Sequence, residues 1–491
     1  MGKPIQSVQI LLSIFLWLPV SQADCVYKEC FCSSILILCS NKNLQVMPQL
    51  NPEVTSSEWD LNFDGNNVSS IPSGSFPANL TFIDLQDSPL STMDDDVFHE
   101  SINTLATIYL SNVRFSKFPN AIGRLRALNL LSITNGNITD WNDDAWDNLA
   151  QTLNTLDLDN AGVTSWPMWI KNFTKLTELT ISHASFSTIP DNALDGVANT
   201  LTSLSLDNNR LTIVPKAVSN LKSLQTLSLS ENHITNLDWL PHYSKLDSLS
   251  INNNYLSNAT HVSQALSYFN ETLFSLDINY NLLTAIPDFS ALSKVNMLDF
   301  SHNKIHDPNS GAAATDTSLF DLSYNSLSFC PRILSTLVLV TDIGLSNNNI
   351  KALQQSDFHS QVTSIDVSFN LVTELTEASF PDNFGLMYLQ LNNNPLTTIS
   401  PIALQRLPNL YLLNLRHTQL TRLPLALNYL SGLVTLDVSN CTALVCTCME
   451  SSLRPLMMRP YPFKVVGDCG QTSVFEFFSV LSPNCPIAGN S

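Results

Sequence analysis

The chain has 491 residues, of which 44% are hydrophobic and only 13% are charged, and its net charge is −19. This composition excludes an intrinsically disordered chain, and the length leaves either several domains or one long repeat array. The acidity argues against a nucleic-acid partner, because phosphate binding requires clustered Lys and Arg. It is compatible with a basic protein or peptide partner, and equally with simple solubility.

The first residues are typical of a secretory signal peptide. Lys3 precedes an apolar run over 10–20, and the small residues Ser21 and Ala23 stand at the places preferred before a cleavage site. We therefore predict a signal peptide over 1–23, with an uncleaved membrane anchor as the alternative. No later apolar run reaches the roughly 18 residues of a membrane span. We expect a secreted, extracellular protein, with the cell surface as the alternative location.

Cysteines concentrate at the two ends of the chain. The first group comprises Cys25, Cys30, Cys32 and Cys39, in a predicted N-terminal cap over 24–57. The second group comprises Cys441, Cys446, Cys448, Cys469 and Cys485, in a predicted C-terminal cap over 441–486 that leaves a short tail over 487–491. In an oxidising compartment such groups indicate disulfides, whereas four cysteines in a short span are also compatible with a zinc site.

A repeated pattern, L-x-x-L-x-L-x-x-N-x-L, fills the region between the caps, residues 58–440. It occurs seventeen times, with first positions at 58, 80, 105, 128, 153, 176, 201, 224, 246, 273, 295, 317, 340, 362, 386, 410 and 433. Positions 4 and 6 are apolar in every copy, which predicts a short strand with one buried face. One repeat cannot bury that face alone, so we expect neighbouring repeats to stack and share a core.

The fold class that follows is α/β, a leucine-rich repeat solenoid with about 17 repeats. We expect a horseshoe with a concave parallel β-sheet and an irregular or short-helical convex side. Position 9 is Asn in ten repeats, nine of them consecutive from Asn209 to Asn394. We interpret these asparagines as scaffold, because a buried amide offers donors and an acceptor to backbone groups between coils. The repeats between Leu80 and Leu176 lack this Asn, so we expect a less regular stack there.

The complete pattern resembles the ectodomains of Toll-like receptors, proteoglycans and receptor kinases, which carry cysteine-rich caps. The resemblance implies the disulfides Cys25–Cys32, Cys30–Cys39, Cys446–Cys469 and Cys448–Cys485. It leaves Cys330 and Cys441, which we interpret as buried free thiols. One departure is that the family usually has a Trp soon after the C-terminal C-x-C, where this chain has Leu453 and Leu456.

The outward positions 2, 3, 5, 7 and 8 of the repeats are the first candidates for ligand contact. Position 5 is acidic in seven repeats, at Asp84, Asp157, Asp277, Asp299, Asp321, Asp366 and Asp437. Exposed aromatic residues at the same position of successive repeats are typical of recognition surfaces. Sequences such as DLSYN and DVSFN also recur in leucine-rich repeat proteins without implying a ligand. The ligand-binding candidates are Trp59, Phe82, Asp84, Tyr109, Tyr280, His302, Tyr324, Phe369, Tyr388, Tyr411 and His417.

Catalytic motifs are not found, and we predict neither an enzyme nor a cofactor nor a metal site. Sequons for N-glycosylation occur at Asn67, Asn79, Asn137, Asn172, Asn258 and Asn270, and a seventh, at Asn440, lies too close to the predicted sheet to be expected as a glycan site. We expect a recognition protein that binds a protein, peptide or glycan, with a membrane receptor as one kind of partner. The alternatives are the ligand-sensing ectodomain of a signalling receptor and an inhibitor of an extracellular enzyme.

Overall fold

The structure is a computed structural model that describes residues 25–313 and 316–485. The predicted signal peptide and the predicted tail over 487–491 lie outside these residues. The chain divides into two compact units, Met1–Ser185 and Phe186–Ser491, and the division falls within the predicted repeat region. The two units are described separately.

The first unit contains a sheet whose first two strands are antiparallel and whose later neighbours are all parallel. Its strands are Phe31–Ser33, Leu36–Leu38, Trp59–Asn62, Leu80–Asp84, Thr107–Ser111, Leu130–Thr134, Thr155–Asp159 and Glu178–Ser182. On the return side lie the two-stranded sheet Ser70–Ile71 with Thr92–Met93, the α-helices Asn120–Gly123 and Trp146–Leu149, and the 3-10 helices His99–Ser101, Asp143–Ala145 and Met168–Asn172.

The second unit contains a sheet in which every neighbouring pair is parallel. Its strands are Ser203–Ser205, Thr226–Ser228, Ser248–Ser250, Ser275–Asp277, Met297–Asp299, Leu319–Asp321, Asp342–Gly344, Ser364–Asp366, Tyr388–Gln390, Leu412–Asn414, Thr435–Asp437 and Lys464–Val466. Two small sheets pair Glu374–Leu375 with Thr398–Ile399 and Asp468–Cys469 with Thr472–Ser473.

Some return segments of the second unit and its C-terminal cap form short helices, and the other returns are irregular, as the sequence predicts. The α-helices are Ala259–Leu266, Pro401–Gln405, Arg454–Met457 and Val474–Glu476. The 3-10 helices are Asp195–Val197, Lys216–Asn220, Ser267–Phe269, Arg332–Ser335, Gln355–Asp357, Leu425–Tyr429, Cys448–Leu453 and Ser482–Asn484, and Phe477–Leu481 is a π-helix. None of the helices in the described residues is long and apolar enough to cross a membrane.

The leucines at positions 4 and 6 form the core of each unit. Leu204, Leu206, Leu227 and Leu229 are fully buried, and the same positions are buried along both sheets. Burying such a side chain contributes about 1.5–3 kcal/mol, so each coil adds a similar favourable increment to the free energy of folding. The solenoid class and the parallel sheet are thus as predicted.

The position 9 asparagines bind the backbone between neighbouring coils. Asn232 is buried, and its Oδ1 accepts the N–H of Leu211 in the preceding coil at 3.0 Å. Its Nδ2 donates to Leu206 O of the preceding coil at 3.0 Å and to Leu229 O of its own coil at 3.1 Å. The same bonds recur at the following asparagines, for example at Asn254. The prediction that this row is scaffold is confirmed.

Apart from Asn66, whose side chain makes the same bonds, the repeats of the first unit lack the position 9 asparagine. There the N–H of Ile138 donates to Ala161 O of the next coil at 3.1 Å, so a backbone carbonyl replaces the amide oxygen. The strands also lengthen to five residues, as in Leu130–Thr134, compared with three in most repeats of the second unit. The irregularity that we expected between Leu80 and Leu176 is therefore a difference in hydrogen bonding after the strand: a backbone carbonyl accepts the N–H that an asparagine side chain accepts in the second unit.

The caps close the two ends of the repeats with the same four disulfides that the resemblance implies. They join Cys25 to Cys32, Cys30 to Cys39, Cys446 to Cys469 and Cys448 to Cys485. Cys330 and Cys441 are buried free thiols. Glu450 is also buried, and its Oε1 accepts Arg422 Nε at 2.6 Å, which anchors the C-terminal cap to the adjacent repeats.

Candidate functional site

A row of carboxylates follows position 5 across neighbouring strands of the second unit. The strands place Asp277 beside Asp299, and Asp299 beside Asp321. Gly344 comes next, followed by Asp366. We call Asp277, Asp299, Asp321 and Asp366 the acidic row. Parallel pairing in register brings these like charges close together, which costs free energy unless a cation or solvent offsets it.

Three members of the row also have a structural role. Oδ1 of Asp299, Asp321 and Asp366 accepts the backbone N–H two residues later, at 2.8–2.9 Å. That N–H, at position 7, has no backbone acceptor among the described residues in these coils. A carboxylate has about four acceptor sites, so most of the capacity of each one is still available for a partner.

Asp277 is held differently, and its ionisation is perturbed. Its Oδ2 accepts Asn252 Nδ2 at 2.8 Å. Burial raises the pKa of Asp277, the bond from Asn252 opposes this, and repulsion by Asp299 adds to it. Burial likewise raises the pKa of Asp207, at the other end of the same face, although Ser228 and Ser230 donate to its carboxylate. Burial is the main cause in both groups, and a neighbouring carboxylate adds to it in each.

Lys and Arg are missing from the outward strand and turn positions of this face, although Arg210 and Lys304 occupy position 10. In the nine repeats from Leu201 through Leu386, the outward positions 2, 3, 5, 7 and 8 carry eight carboxylates and no Lys or Arg; the first cation is Arg416. The carboxylates are Asp207, Glu231, Asp247, Asp277, Asp299, Asp321, Asp342 and Asp366. Within the described part of the chain, none of the ion pairs involves any of them.

Aromatic rings stack beside the acidic row, at position 8. The ring centroids of Tyr280 and His302 are 3.9 Å apart, and those of His302 and Tyr324 are 4.0 Å apart, with nearly parallel planes. We call these three residues the ring ladder. Tyr280 and Tyr324 are 46% and 49% exposed, and so is Phe369 at 49%, which occupies the same position two coils beyond Tyr324. These aromatic residues, which the sequence places in register, therefore lie on one surface.

The backbone at position 8 is left-handed in every one of these residues. Tyr280, His302, Tyr324 and Phe369 have φ between 50° and 56°. For residues other than Gly, Asn and Asp this conformation costs roughly 1–2 kcal/mol. A stacked aromatic pair contributes about 0.5–1.5 kcal/mol, so stacking offsets much of the strain within the ladder. Phe369 has no such compensation, because it makes no ring contact in the described residues.

A surface groove of about 610 Å³ opens at the Tyr280 end of the ladder. Its lining includes Glu231, Asn253 and the stacked pair His233–Tyr255, whose centroids are 5.2 Å apart. Aromatic walls with a few polar groups are typical of ligand sites. The remaining candidates, Tyr388, Tyr411 and His417, are exposed further along the unit, and the two tyrosine rings are 5.9 Å apart.

The candidates of the first unit form a smaller cluster. The rings of Phe82 and Tyr109 are 5.8 Å apart on adjacent strands. Burial raises the pKa of Asp84, with repulsion from Asp64 and Asp87 adding to it. The pKa of Tyr109 is raised by burial and by the nearby carboxylates.

The prediction that Trp59 is an exposed ligand contact is wrong. Its side chain is only 4% exposed, because the strand pairing shifts register between Trp59 and Asp60. The shift places Trp59 opposite Leu80, so it occupies the buried first position of its repeat rather than the outward second position. The repeat pattern does not reveal this bulge, since it assumes one constant register.

The six sequons predicted as glycan sites all lie at or near the surface. Asn67, Asn137, Asn172, Asn258 and Asn270 are exposed, and Asn79 is half-buried. Asn258 also caps the helix Ala259–Leu266, since its Oδ1 accepts the N–H of His261 at 3.0 Å. The Nδ2 atom that would carry a glycan is not used by that bond.

Sequence reasoning missed two features of this surface. One is the left-handed backbone at position 8, which the frequent Asn at Asn208, Asn253, Asn347 and Asn393 could have indicated, because Asn tolerates that conformation. The other is Gly344, the gap in the acidic row. In the described residues no group of three or more His, Cys, Asp or Glu is arranged to hold a metal ion.

Comparison with known proteins agrees with this architecture. A family model described as "Leucine rich repeat" matches residues 199–256 and 360–420. Tsukushi of Mus musculus is 32% identical over 198 residues, which cover 34% of this chain and 50% of Tsukushi, so the chain spans about half the length of that relative.

Two solved structures show the same fold at low sequence identity. A leucine-rich repeat protein of Leptospira interrogans has a TM-score of 0.59 and 21% identity, covering 79% of this chain and 90% of its own. The plant peptide hormone receptor RGFR1, in complex with RGF2, has a TM-score of 0.55 and 18% identity, covering 84% of this chain and 74% of its own. With its repeats, its Asn row and its bonded caps, the chain is a leucine-rich repeat protein with disulfide-linked cysteine caps.

Proposed function

We propose that this chain is an extracellular, glycosylated recognition protein without catalytic activity, which binds a basic protein or peptide on the outward face of its second unit. The observation that carries the proposal is the charge of that face, because the outward positions of nine repeats carry eight carboxylates and no Lys or Arg. Such a field raises the local concentration of cationic partners and accelerates their association.

The chemistry of the face supports a macromolecular partner over a small-molecule substrate. The acidic row, the ring ladder and the adjoining groove form one open surface rather than an enclosed cavity. A partner would bury aromatic anchors such as Tyr324 and Phe369 and pair its cations with the row. The structurally similar RGFR1 was solved with a peptide, which supports this class of partner.

Extracellular location is supported by the cap disulfides, which persist in oxidising compartments, and by the surface placement of the sequons. The proposal concerns a face of the molecule. It applies equally to a released protein and to the ligand-sensing ectodomain of a membrane receptor.

The test compares three proteins in capture from conditioned medium followed by mass spectrometry. The first is the wild-type chain, and the second carries Asp299→Asn, Asp321→Asn and Asp366→Asn, which removes three charges and leaves oxygen acceptors for the backbone. The matched control carries Asp195→Asn, Asp307→Asn and Glu377→Gln, which removes three exposed carboxylates outside the strands.

We expect the wild type and the control to retain the same basic partners, and the second protein to lose them. Retention should weaken steeply between 50 and about 300 mM salt, since the Debye length falls with ionic strength. Equal retention by all three proteins, or partners that are mainly acidic, would contradict the proposal.

A further inference from the structure

The ring ladder is interrupted at one coil of the second unit. Tyr324 N–H donates to Ser346 O at 2.8 Å, and Asn347 N–H donates to Ser368 O at 3.0 Å, which places Asn347 between Tyr324 and Phe369 at position 8. Asn347 has the same left-handed backbone, with φ of 55°, but it carries no ring. Among the residues that the structure describes, its side chain bonds only the neighbouring Ser346 Oγ, at 3.3 Å. One rung of a regular aromatic stack is therefore missing.

The size of the gap suits one planar group. Two strand spacings separate the Tyr324 and Phe369 backbones by roughly 9–10 Å. In the intact ladder adjacent rings stack with their centroids 3.9–4.0 Å apart. A flat group in van der Waals contact with a ring on each side needs about 7–8 Å between the two rings. Both rings are about half exposed, so the gap is open to solvent.

The same coil also lacks a side chain in the acidic row. Gly344 pairs with Asp321 on one side and with Asp366 on the other. A Cβ at Gly344 would overlap the Asp321 carboxylate, which shows that this carboxylate leans into the space that the glycine leaves. Asp342, at position 3 of the same coil, is exposed. In this coil the Asp321 and Asp366 strands therefore flank a glycine at position 5, and the Tyr324 and Phe369 turns flank a residue without a ring at position 8. We call this place the Gly344 notch.

The carboxylates of the notch retain unused oxygens. Asp321 and Asp366 each use Oδ1 for a backbone N–H, and in the described residues no hydrogen bond reaches Oδ2 of either. No Lys or Arg occupies an outward position in this coil or in the two coils on either side. The Asp321 and Asp366 carboxylates lie one coil before and one coil after Gly344, and the Tyr324 and Phe369 rings belong to the same two coils. A flat cation is complementary to this set of groups.

We propose that the Gly344 notch binds the guanidinium of one arginine from a basic peptide segment of the partner. The plane of the guanidinium stacks between Tyr324 and Phe369, and its N–H groups donate to Asp321 and Asp366. Arginine meets both requirements, since it stacks on aromatic faces and presents N–H donors in a fixed plane. Lysine supplies the charge without the plane. This inference rests on the proposed function and specifies which residue type of the partner the face binds.

The test uses two synthetic probes of equal charge, nona-arginine and nona-lysine, binding to the full chain near physiological salt. We expect nona-arginine to bind about tenfold more tightly than nona-lysine, the scale of one additional hydrogen bond to a charged group, since the guanidinium donates to both carboxylates while it stacks. Asn347→Tyr supplies the missing rung from the chain itself, so the arginine preference should fall to near one. Tyr already occupies this backbone conformation at Tyr280 and Tyr324, and thermal unfolding would verify that the variant folds.

The matched control is Asn393→Tyr. Asn393 has the same left-handed backbone at position 8, two coils after Asn347, but its coil carries Gln390 instead of a glycine at position 5. This variant should keep the tenfold preference. The double variant Asp321→Asn with Asp366→Asn leaves the gap open and should also lose the preference, which provides a second measurement should Asn347→Tyr fail to fold.

The outcomes separate the two proposals. If both probes bind wild type equally and in a salt-dependent manner, the Gly344 notch is refuted while recognition of basic partners stands. An arginine preference that survives Asn347→Tyr also refutes the notch. If neither probe binds, the inference and the preference for basic partners both fail.

Discussion

The scaffold role of the Asn row leads to a quantitative prediction at Asn394. Its side chain is 2% exposed, its Oδ1 accepts the N–H of Val372 at 2.9 Å, and its Nδ2 donates to Val367 O at 2.9 Å and to Leu391 O at 3.0 Å. Asn394→Ala removes all three bonds and leaves the Val372 N–H buried without a partner. An unsatisfied buried donor costs about 1–3 kcal/mol and each lost bond about 0.5–1.5 kcal/mol, so we expect a loss of about 3–4 kcal/mol.

A local measurement suits this prediction better than a global one, because repeat arrays do not unfold as a single two-state unit. Hydrogen exchange at the Val372 amide reports the bond directly. With 1.36 kcal/mol for each factor of ten, the predicted loss corresponds to exchange faster by about a hundredfold or more. Amides of the first unit should keep their protection, since repeats interact mainly with their neighbours.

The control is Asn392→Ala, two residues away in the same turn. The Asn392 side chain makes no hydrogen bond within the described residues, so this change should cost less than about 0.5 kcal/mol. If both variants exchange at the same rate at Val372, the asparagine amide does not stabilise the turn and the scaffold interpretation is refuted.

Two further predictions concern buried ionisable groups. Burial raises the pKa of Asp157, so the folded state binds its proton more tightly than the unfolded state does, and stability falls as pH rises from the ordinary Asp value of about 4 through the raised value. Asp157→Asn should therefore raise the urea midpoint at pH 7 relative to wild type and give little advantage near pH 3; a constant difference would contradict this. Cys330 and Cys441 are buried, and burial raises the pKa of the Cys330 thiol, so a thiol reagent should modify these two only after unfolding. Rapid modification of the native protein would show that the thiols are accessible.

The core and the caps could be predicted from the sequence because inward positions have few chemical solutions. The strand leucines must be apolar to bury, and an amide such as that of Asn232 must meet the backbone between coils. Both requirements repeat with each coil, so the pattern is visible in one sequence. The cap pairing, such as Cys446–Cys469, came from family resemblance rather than from spacing.

Features that depend on register or backbone conformation could not be predicted in the same way. Trp59 is buried because of a single bulge, and the strand Lys464–Val466 extends the sheet beyond the last repeat with no leucine pattern. The Gly344 notch likewise depends on which residues of three successive strands lie side by side. Sequence periodicity describes one coil at a time, whereas these features arise between coils.

The charge of the acidic row is what distinguishes recognition from scaffolding at position 5. The row satisfies the N–H at position 7, but an amide does the same at Asn414, whose Oδ1 accepts the N–H of Arg416 at 3.0 Å. The backbone therefore requires an oxygen at this position and does not require a negative charge. Aligned carboxylates repel one another and resist ionisation when buried, as the raised pKa of Asp277 shows. A partner with matching cations would offset that cost. We therefore infer that the oxygen atoms of the row stabilise the turn, whereas its negative charge serves to bind the partner.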